Sequence, residues 1–160
     1  MPIEKKMNND EILILIKELI EKTTVSVREI SISEENSPNT WFSAEVAEPH
    51  FFISREGEAL FALNHLARRI IENKMPGAES SGVLIDINGF QKKRVENIRA
   101  VAHMMAERAR YFKSSIEVDP MSAFERRIVH EFLSSATDLK TESLGEGLKR
   151  RVVIKYIGSI

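Results

Sequence analysis

The sequence contains no cysteine. That excludes disulfides and thiolate metal sites outright. It fits a reducing cytoplasm, although any compartment can hold a cysteine-free protein. No apolar run approaches the roughly 20 residues needed to span a bilayer. The opening Met1-Pro2-Ile3-Glu4-Lys5-Lys6 is not followed by an apolar segment with a small-residue cleavage site, so no signal peptide is expected. Repeats of 20–50 residues and low-complexity tracts are missing as well. The histidines His50, His65, His103 and His130 are scattered and never fall at His-x-x-x-His or a similar metal-binding spacing. Ser, His and Asp are present, but no nucleophile motif frames them. The expectation is therefore a cytoplasmic, non-catalytic chain without metal, cofactor or membrane insertion.

What the chain does have is a sizeable apolar fraction. Of its 160 residues, 42% are hydrophobic and 29% charged, the balance of a globular protein with real cores. The length allows one ordinary domain or two small ones. The net charge of −1 hides an asymmetry. Met1 to Glu48 carries 5 Lys and Arg against 10 Asp and Glu, a balance of −5. Pro49 to Phe90 carries 4 against 5, or −1, and Gln91 to Ile160 carries 14 against 9, or +5. A localised basic surface is the footprint expected for a polyanion partner. Positive charges that merely solvate helices give the same count.

Periodicity predicts the elements. Ile12, Leu13, Leu15, Ile16, Leu19 and Ile20 form one apolar face of a helix from Asp10 to Lys22, capped by Asn8 or Asn9. Val25 to Ile32 and Trp41 to Val46 read as strands, with a turn at Ser37-Pro38-Asn39 between them. Phe51-Phe52-Ile53 is a short apolar run, and Ser54-Arg55-Glu56-Gly57 a tight connection. Leu60, Leu63, Leu66, Ala67, Ile70 and Ile71 mark a second amphipathic helix ending near Lys74, before Pro76-Gly77. Ala78 to Gly82 reads as loop, Val83 to Ile87 as a strand, and Asn88-Gly89 as a turn. A long helix follows from Gln91 to Lys113, burying Val95, Ile98, Ala102, Met105, Ala109 and Phe112. Asp119-Pro120 separates it from a helix over Ser122 to Ser134. Two β-like segments, Thr141 to Ser143 and Arg151 to Ile157, flank a Gly145-Glu146-Gly147 turn. The order is α-β-β-α-β-α-α-β-β, an α+β layout, with a soft boundary at Asn88-Gly89.

Three stretches could carry chemistry. Lys92, Lys93 and Arg94 sit in the first turn of a long helix, where the helix dipole already places positive charge. An anion docked there makes the arrangement favourable, because free backbone N–H groups point the same way. A solvated turn neutralised by Asp86 or Glu96 is the plainer reading. In the later helix, Phe124, Ile128 and Phe132 recur every fourth residue and are expected to face the core. Arg126 and His130 share a stripe nearly opposite Ile128. A guanidinium beside an imidazole suits a phosphate or a base edge, and an ordinary surface pair is the alternative. Arg150 and Arg151, preceded by Thr141 and Ser143, would converge on that pair if the last strands pack beside the helix.

Two of these segments carry a family resemblance. Glu125-Arg126-Arg127-Ile128-Val129-His130 has the Arg-x-x-x-His spacing that names the R-three-H domain. The later Thr141-Glu142-Ser143-Leu144-Gly145 and Arg150-Arg151-Val152-Val153-Ile154 resemble the T-x-S-x-G and R-R-V-V-I ending of its bacterial forms. Upstream, Ile53 to Leu60 with Ala62 to Leu66 resembles a KH segment, and Asp86 to Arg94 resembles the link that joins the two. This is the layout of the bacterial Jag (SpoIIIJ-associated protein) family, without its separate N-terminal domain. The resemblance implies a type II KH-like domain (α-β-β-α-α-β) over residues 10–89, with a short helix before its loop. A domain of mixed helices with a small β-sheet would follow over 90–158. It implies binding of single-stranded RNA or DNA, and in some members pairing with a small KH-domain protein. Ser54 replaces the first glycine of the KH loop and Glu56 adds a negative charge there, which weakens the case for Arg55 and Gly57 as phosphate contacts.

Together these residues point to an electrostatic grip by Lys92, Lys93, Arg94, Arg126, Arg150 and Arg151, with His130 donating a hydrogen bond or stacking. Such contacts position a strand without reading its sequence. With aromatics at 7% of the chain, stacking on bases should be limited. The competing class is a protein–protein adaptor whose KH site has decayed.

Overall fold

A computed structural model of the chain describes residues 8–33, 39–74, 76 and 82–158. The expected Ser37-Pro38 turn, most of the Ala78–Gly82 loop and the Met1–Lys6 stretch lie outside them. The chain divides into two compact units, Met1–Lys92 and Lys93–Ile160.

The first unit opens with α1 (Asn9–Lys22). Asn8 caps it: its side chain accepts from the Glu11 N–H at 2.8 Å, and Glu11 accepts in return from the Asn8 N–H at 3.2 Å. The apolar stripe Ile12, Leu15, Ile16 and Ile20 is buried. Strands β1 (Val27–Ser33) and β2 (Thr40–Val46) pair antiparallel, and β2 pairs in parallel with β3 (Val83–Ile87), in the order β1-β2-β3. A parallel neighbour needs a long crossover, and α2 (His50–Lys74) supplies it. Phe42, Ala44 and Val46 of β2 and Ile85 and Ile87 of β3 meet Leu60, Leu63, Ala67 and Ile71 of α2 in one core. Leu66, expected on the buried stripe, is 49% exposed.

Helix α2 is broken from Ser54 to Gly57. Ser54 is extended, and Arg55, Glu56 and Gly57 have φ of 50°, 59° and 84°. The apolar run Phe51-Phe52-Ile53 is thus the end of a short helix that periodicity alone did not reveal. Three left-handed residues then restart the helix in a new direction. Two of them carry Cβ, at a cost of roughly 1–2 kcal/mol each. Gly57 is buried, and a Cβ on it would lie 2.6 Å from the Phe90 ring.

Buried polar groups close this unit. The Asn64 amide accepts from the Ile85 N–H at 2.8 Å and donates to the Ile85 and Leu60 carbonyls at 3.1 and 3.0 Å. Asp86, 1% exposed, accepts the Gln91 N–H at 2.7 Å and so caps the next helix.

That helix, α3 (Phe90–Phe112), runs from the first unit into the second. Ala102, Ala106 and Ala109 form its core stripe there. Phe112, expected inside, is 59% exposed. Lys113 takes φ 48° and ends the helix. A two-residue strand, β4 (Ile116–Glu117), follows and was not anticipated from the sequence. After α4 (Ala123–Leu133) come β5 (Leu139–Leu144) and β6 (Arg151–Tyr156), joined across a short 3-10 turn at Gly147–Lys149. The second sheet is antiparallel in the order β4-β6-β5. Val129 and Leu133 of α4 pack with Val152 and Ile154 of β6, Leu139 of β5 and Val118. Phe132 was expected to face this core. It is 39% exposed in the last turn of α4, whose buried residues are Ile128, Val129 and Leu133.

Candidate nucleic-acid interface

Ser122 and Glu125 begin the site by fixing the start of α4. The Glu125 N–H donates to the Ser122 hydroxyl at 3.3 Å, and the Ser122 N–H donates to Glu125 Oε2 at 2.7 Å. The other Glu125 oxygen receives Nε and Nη2 of Arg94 at 3.0 and 2.8 Å. Burial pushes the Glu125 carboxyl up, but the Ser122 N–H and the Arg94 guanidinium outweigh it and hold the group below its ordinary value. The Ser-x-x-Glu spacing is a capping-box signature visible in the sequence. Its link to Arg94 is not.

With its start fixed, α4 places Arg126 and His130 one turn apart, both half-buried. They do not project away from the fold. Arg126 donates from Nη1 to the Met121 carbonyl at 2.8 Å, and the Met121 N–H donates to the Arg150 carbonyl at 3.2 Å. His130 lies against β5. Its Nδ1 is 2.7 Å from the Thr141 hydroxyl and its Nε2 is 2.8 Å from the Ser143 hydroxyl. Residues two apart on a strand share a face, and here that face meets α4. Desolvation, with a smaller contribution from the Arg126 charge, lowers the His130 pKa below its ordinary value. At neutral pH the ring is therefore neutral, with one nitrogen donating and the other accepting.

The second unit thus brings Arg126, His130, Thr141 and Ser143 together, with the backbone of Arg150 tied beside them. The Arg150 side chain is exposed, and so are Arg127 and Lys149. The other expected cations are placed differently. Arg151 alternates to the opposite face of the sheet, where Nη1 pairs with Glu117 at 2.9 Å. Arg94 is committed to Glu125 and only 22% exposed. Lys93 is exposed. In the first unit, Lys92 donates to the Ser33 hydroxyl at 3.0 Å, Arg55 is exposed, and Gly57 is covered by Phe90. Sequence reasoning also passed over Tyr111, which is 83% exposed and edge-on to Phe112 with centroids 5.0 Å apart. Among the described residues, no three His, Asp or Glu side chains group as a metal site, and no helix is long and apolar enough to cross a membrane.

Residues 96–156 match the R-three-H domain, and the chain carries that domain. The chain is 34% identical over 106 residues to the RNA-binding protein KhpB of Bacillus subtilis (strain 168), covering 65% of this chain and 50% of that protein. It is 28% identical over 102 residues to the KhpB of Clostridium symbiosum, covering 64% and 45%. With the KhpB of Streptococcus pneumoniae serotype 2 (strain D39 / NCTC 7466) it shares 31% identity over 107 residues, covering 67% and 32%. The chain spans half the length, or less, of these curated relatives.

Proposed function

We propose that this protein binds single-stranded RNA or DNA, with RNA favoured, by gripping the sugar–phosphate backbone with the α4–β5 side of its second unit. The observation that carries the reading is the convergence of Arg126, His130, Thr141 and Ser143. An imidazole at hydrogen-bond distance from two hydroxyls, with a guanidinium one helical turn away that has donors to spare, forms a donor-rich cluster of the kind a phosphate needs. Exposed Arg127, Lys149 and Arg150 supply the surrounding positive field. The similar proteins are named RNA-binding proteins, which favours RNA.

The first unit is proposed to be a type II KH-like domain. Its α-β-β-α-α-β order, counting the broken α2 as two helices, supports this. Ser54, Glu56 and the covered Gly57 argue that its loop contributes little phosphate binding. Membership of the Jag family, a cytoplasmic setting and pairing with a small KH-domain protein belong to the same proposal.

The test is a titration of a fluorescent oligouridylate in rising KCl. Affinity should fall linearly on a log–log plot, with a slope of about −0.7 per neutralised phosphate. Arg126→Ala should weaken binding and flatten that slope, while Arg94→Met should leave the slope unchanged. A flat salt response would reject the electrostatic grip.

A further inference from the structure

His130 stands between two hydroxyls, and the parity of that arrangement has a chemical consequence. A neutral imidazole has one donor nitrogen and one acceptor nitrogen. Both are at hydrogen-bond distance from a hydroxyl, Thr141 on one side and Ser143 on the other. One hydroxyl must therefore give its hydrogen to the ring, and only the other keeps a hydrogen for a further acceptor. An imidazolium donates from both nitrogens. Both hydroxyls then accept from the ring, and both hydrogens are released outward.

The oxygens of a phosphodiester group can only accept. Beside a neutral ring the group meets the Arg126 guanidinium and one hydroxyl donor. Beside a charged ring its separate oxygens meet the guanidinium, a hydroxyl donor on each side of the ring and a second positive charge. Resting on the proposed phosphate grip, we infer that Thr141 and Ser143 are the paired donors to the bound phosphate. They act as a pair only when His130 carries a proton, so the site takes up phosphate and proton together.

The surroundings fit this coupling. On its own helix His130 has Arg126 one turn before it, and exposed Arg127 and Glu131 to either side. Helix α4 packs on β5 and β6. The strand positions turned toward it are Leu139, Thr141 and Ser143 of β5 and Val152, Ile154 and Tyr156 of β6. Tyr156 is the only titratable side chain among them. Lys140, Glu142, Arg151 and Lys155 alternate to the other face, where Glu142 lies between Lys140 and Lys155 at 3.5 and 2.6 Å. No carboxylate on the facing positions holds the imidazolium in the free protein, and Arg126 opposes it. A phosphate seated at Arg126 supplies the missing counter-charge.

The experiment uses the full chain and a fluorescent oligouridylate, at fixed ionic strength, from about pH 5.5 to 8. Ring NMR signals of His130 are followed with and without the oligonucleotide. Affinity should fall as pH rises, by up to about tenfold per unit for one linked proton, and the oligonucleotide should shift the His130 titration to higher pH. His130→Gln, which keeps one donor and one acceptor but takes no proton, should bind at the alkaline affinity of the wild type at every pH. Thr141→Val/Ser143→Ala should lose the gain at low pH, and His103→Ala should retain it. Binding that depends on Arg126 but is flat in pH, with the His130 titration unmoved, overturns the coupling and leaves the phosphate grip standing. Absence of binding at every pH removes the grip, and the coupling with it. Should His130→Gln fail to fold, the wild-type ring titration decides alone.

Discussion

Replacing Gly57 by alanine separates two reasons for a glycine at the end of this loop. If it serves only to let a nucleic-acid backbone come close, Gly57→Ala should reduce binding and leave stability almost untouched. The structure points elsewhere. The residue has φ 84°, and its would-be Cβ lies 2.6 Å from the Phe90 ring. The left-handed backbone costs an alanine roughly 1–2 kcal/mol. Forcing a methyl against a packed ring adds typically about 1–3 kcal/mol. The sum, about 2–5 kcal/mol, is a large share of the roughly 5–15 kcal/mol that holds a typical protein folded. Trp41, the single tryptophan, is buried on β2 of the same unit, so its fluorescence reports the unfolding of that unit in urea. Phe90→Leu should relieve the clash and leave the backbone cost. The double variant should therefore be more stable than the sum of the single losses, by about 1 kcal/mol or more. A Gly57→Ala protein within about 0.5 kcal/mol of the wild type, or strict additivity with Phe90→Leu, refutes the packing argument.

Asn64→Leu should strip the Ile85 N–H and carbonyl of their partner and cost about 2–4 kcal/mol in the same Trp41-monitored unfolding. Arg94→Met should lower the stability of the second unit by about 1–3 kcal/mol, measured by circular dichroism melts, because Glu125 then loses a charged partner. His130 titrates below its ordinary 6.5 in the folded protein. The unfolded chain therefore binds the proton more readily, and its contribution to stability is present above about pH 6.5 and lost as pH falls through the folded value. Melting temperatures across that window should drop more steeply for the wild type than for His130→Gln.

Helix α1 was legible because its apolar stripe repeats at the helical period, and β2 and β3 because their runs are short and apolar. The Arg126–His130 stripe was legible too, but its direction was not. Spacing gives an angle around α4, and only the packing of β5 against that helix shows the stripe lying on two hydroxyls. Phe132 was misplaced for a related reason: it lies about 40° around α4 from Ile128, on the inward side by period alone, and its exposure in the last turn of the helix depends on packing that spacing does not carry. The short helix before Ser54 was hidden because Phe51-Phe52-Ile53 covers less than one turn and shows no period. Strand β4 has two residues, too few for alternation to register. Arg94 looked like a free cation because its partner, Glu125, is 31 residues away in sequence.

The side-chain amide of Asn64 has one more consequence. By occupying both main-chain groups of Ile85, it seals the outer flank of β3 against lateral growth of the sheet. A strand added to this sheet, from another molecule or another part of the chain, is steered to the β1 flank, where Ile30 and Ile32 face the core, Glu29 and Ser31 face outward, and the bulge between Val27 and Glu29 interrupts the alternation.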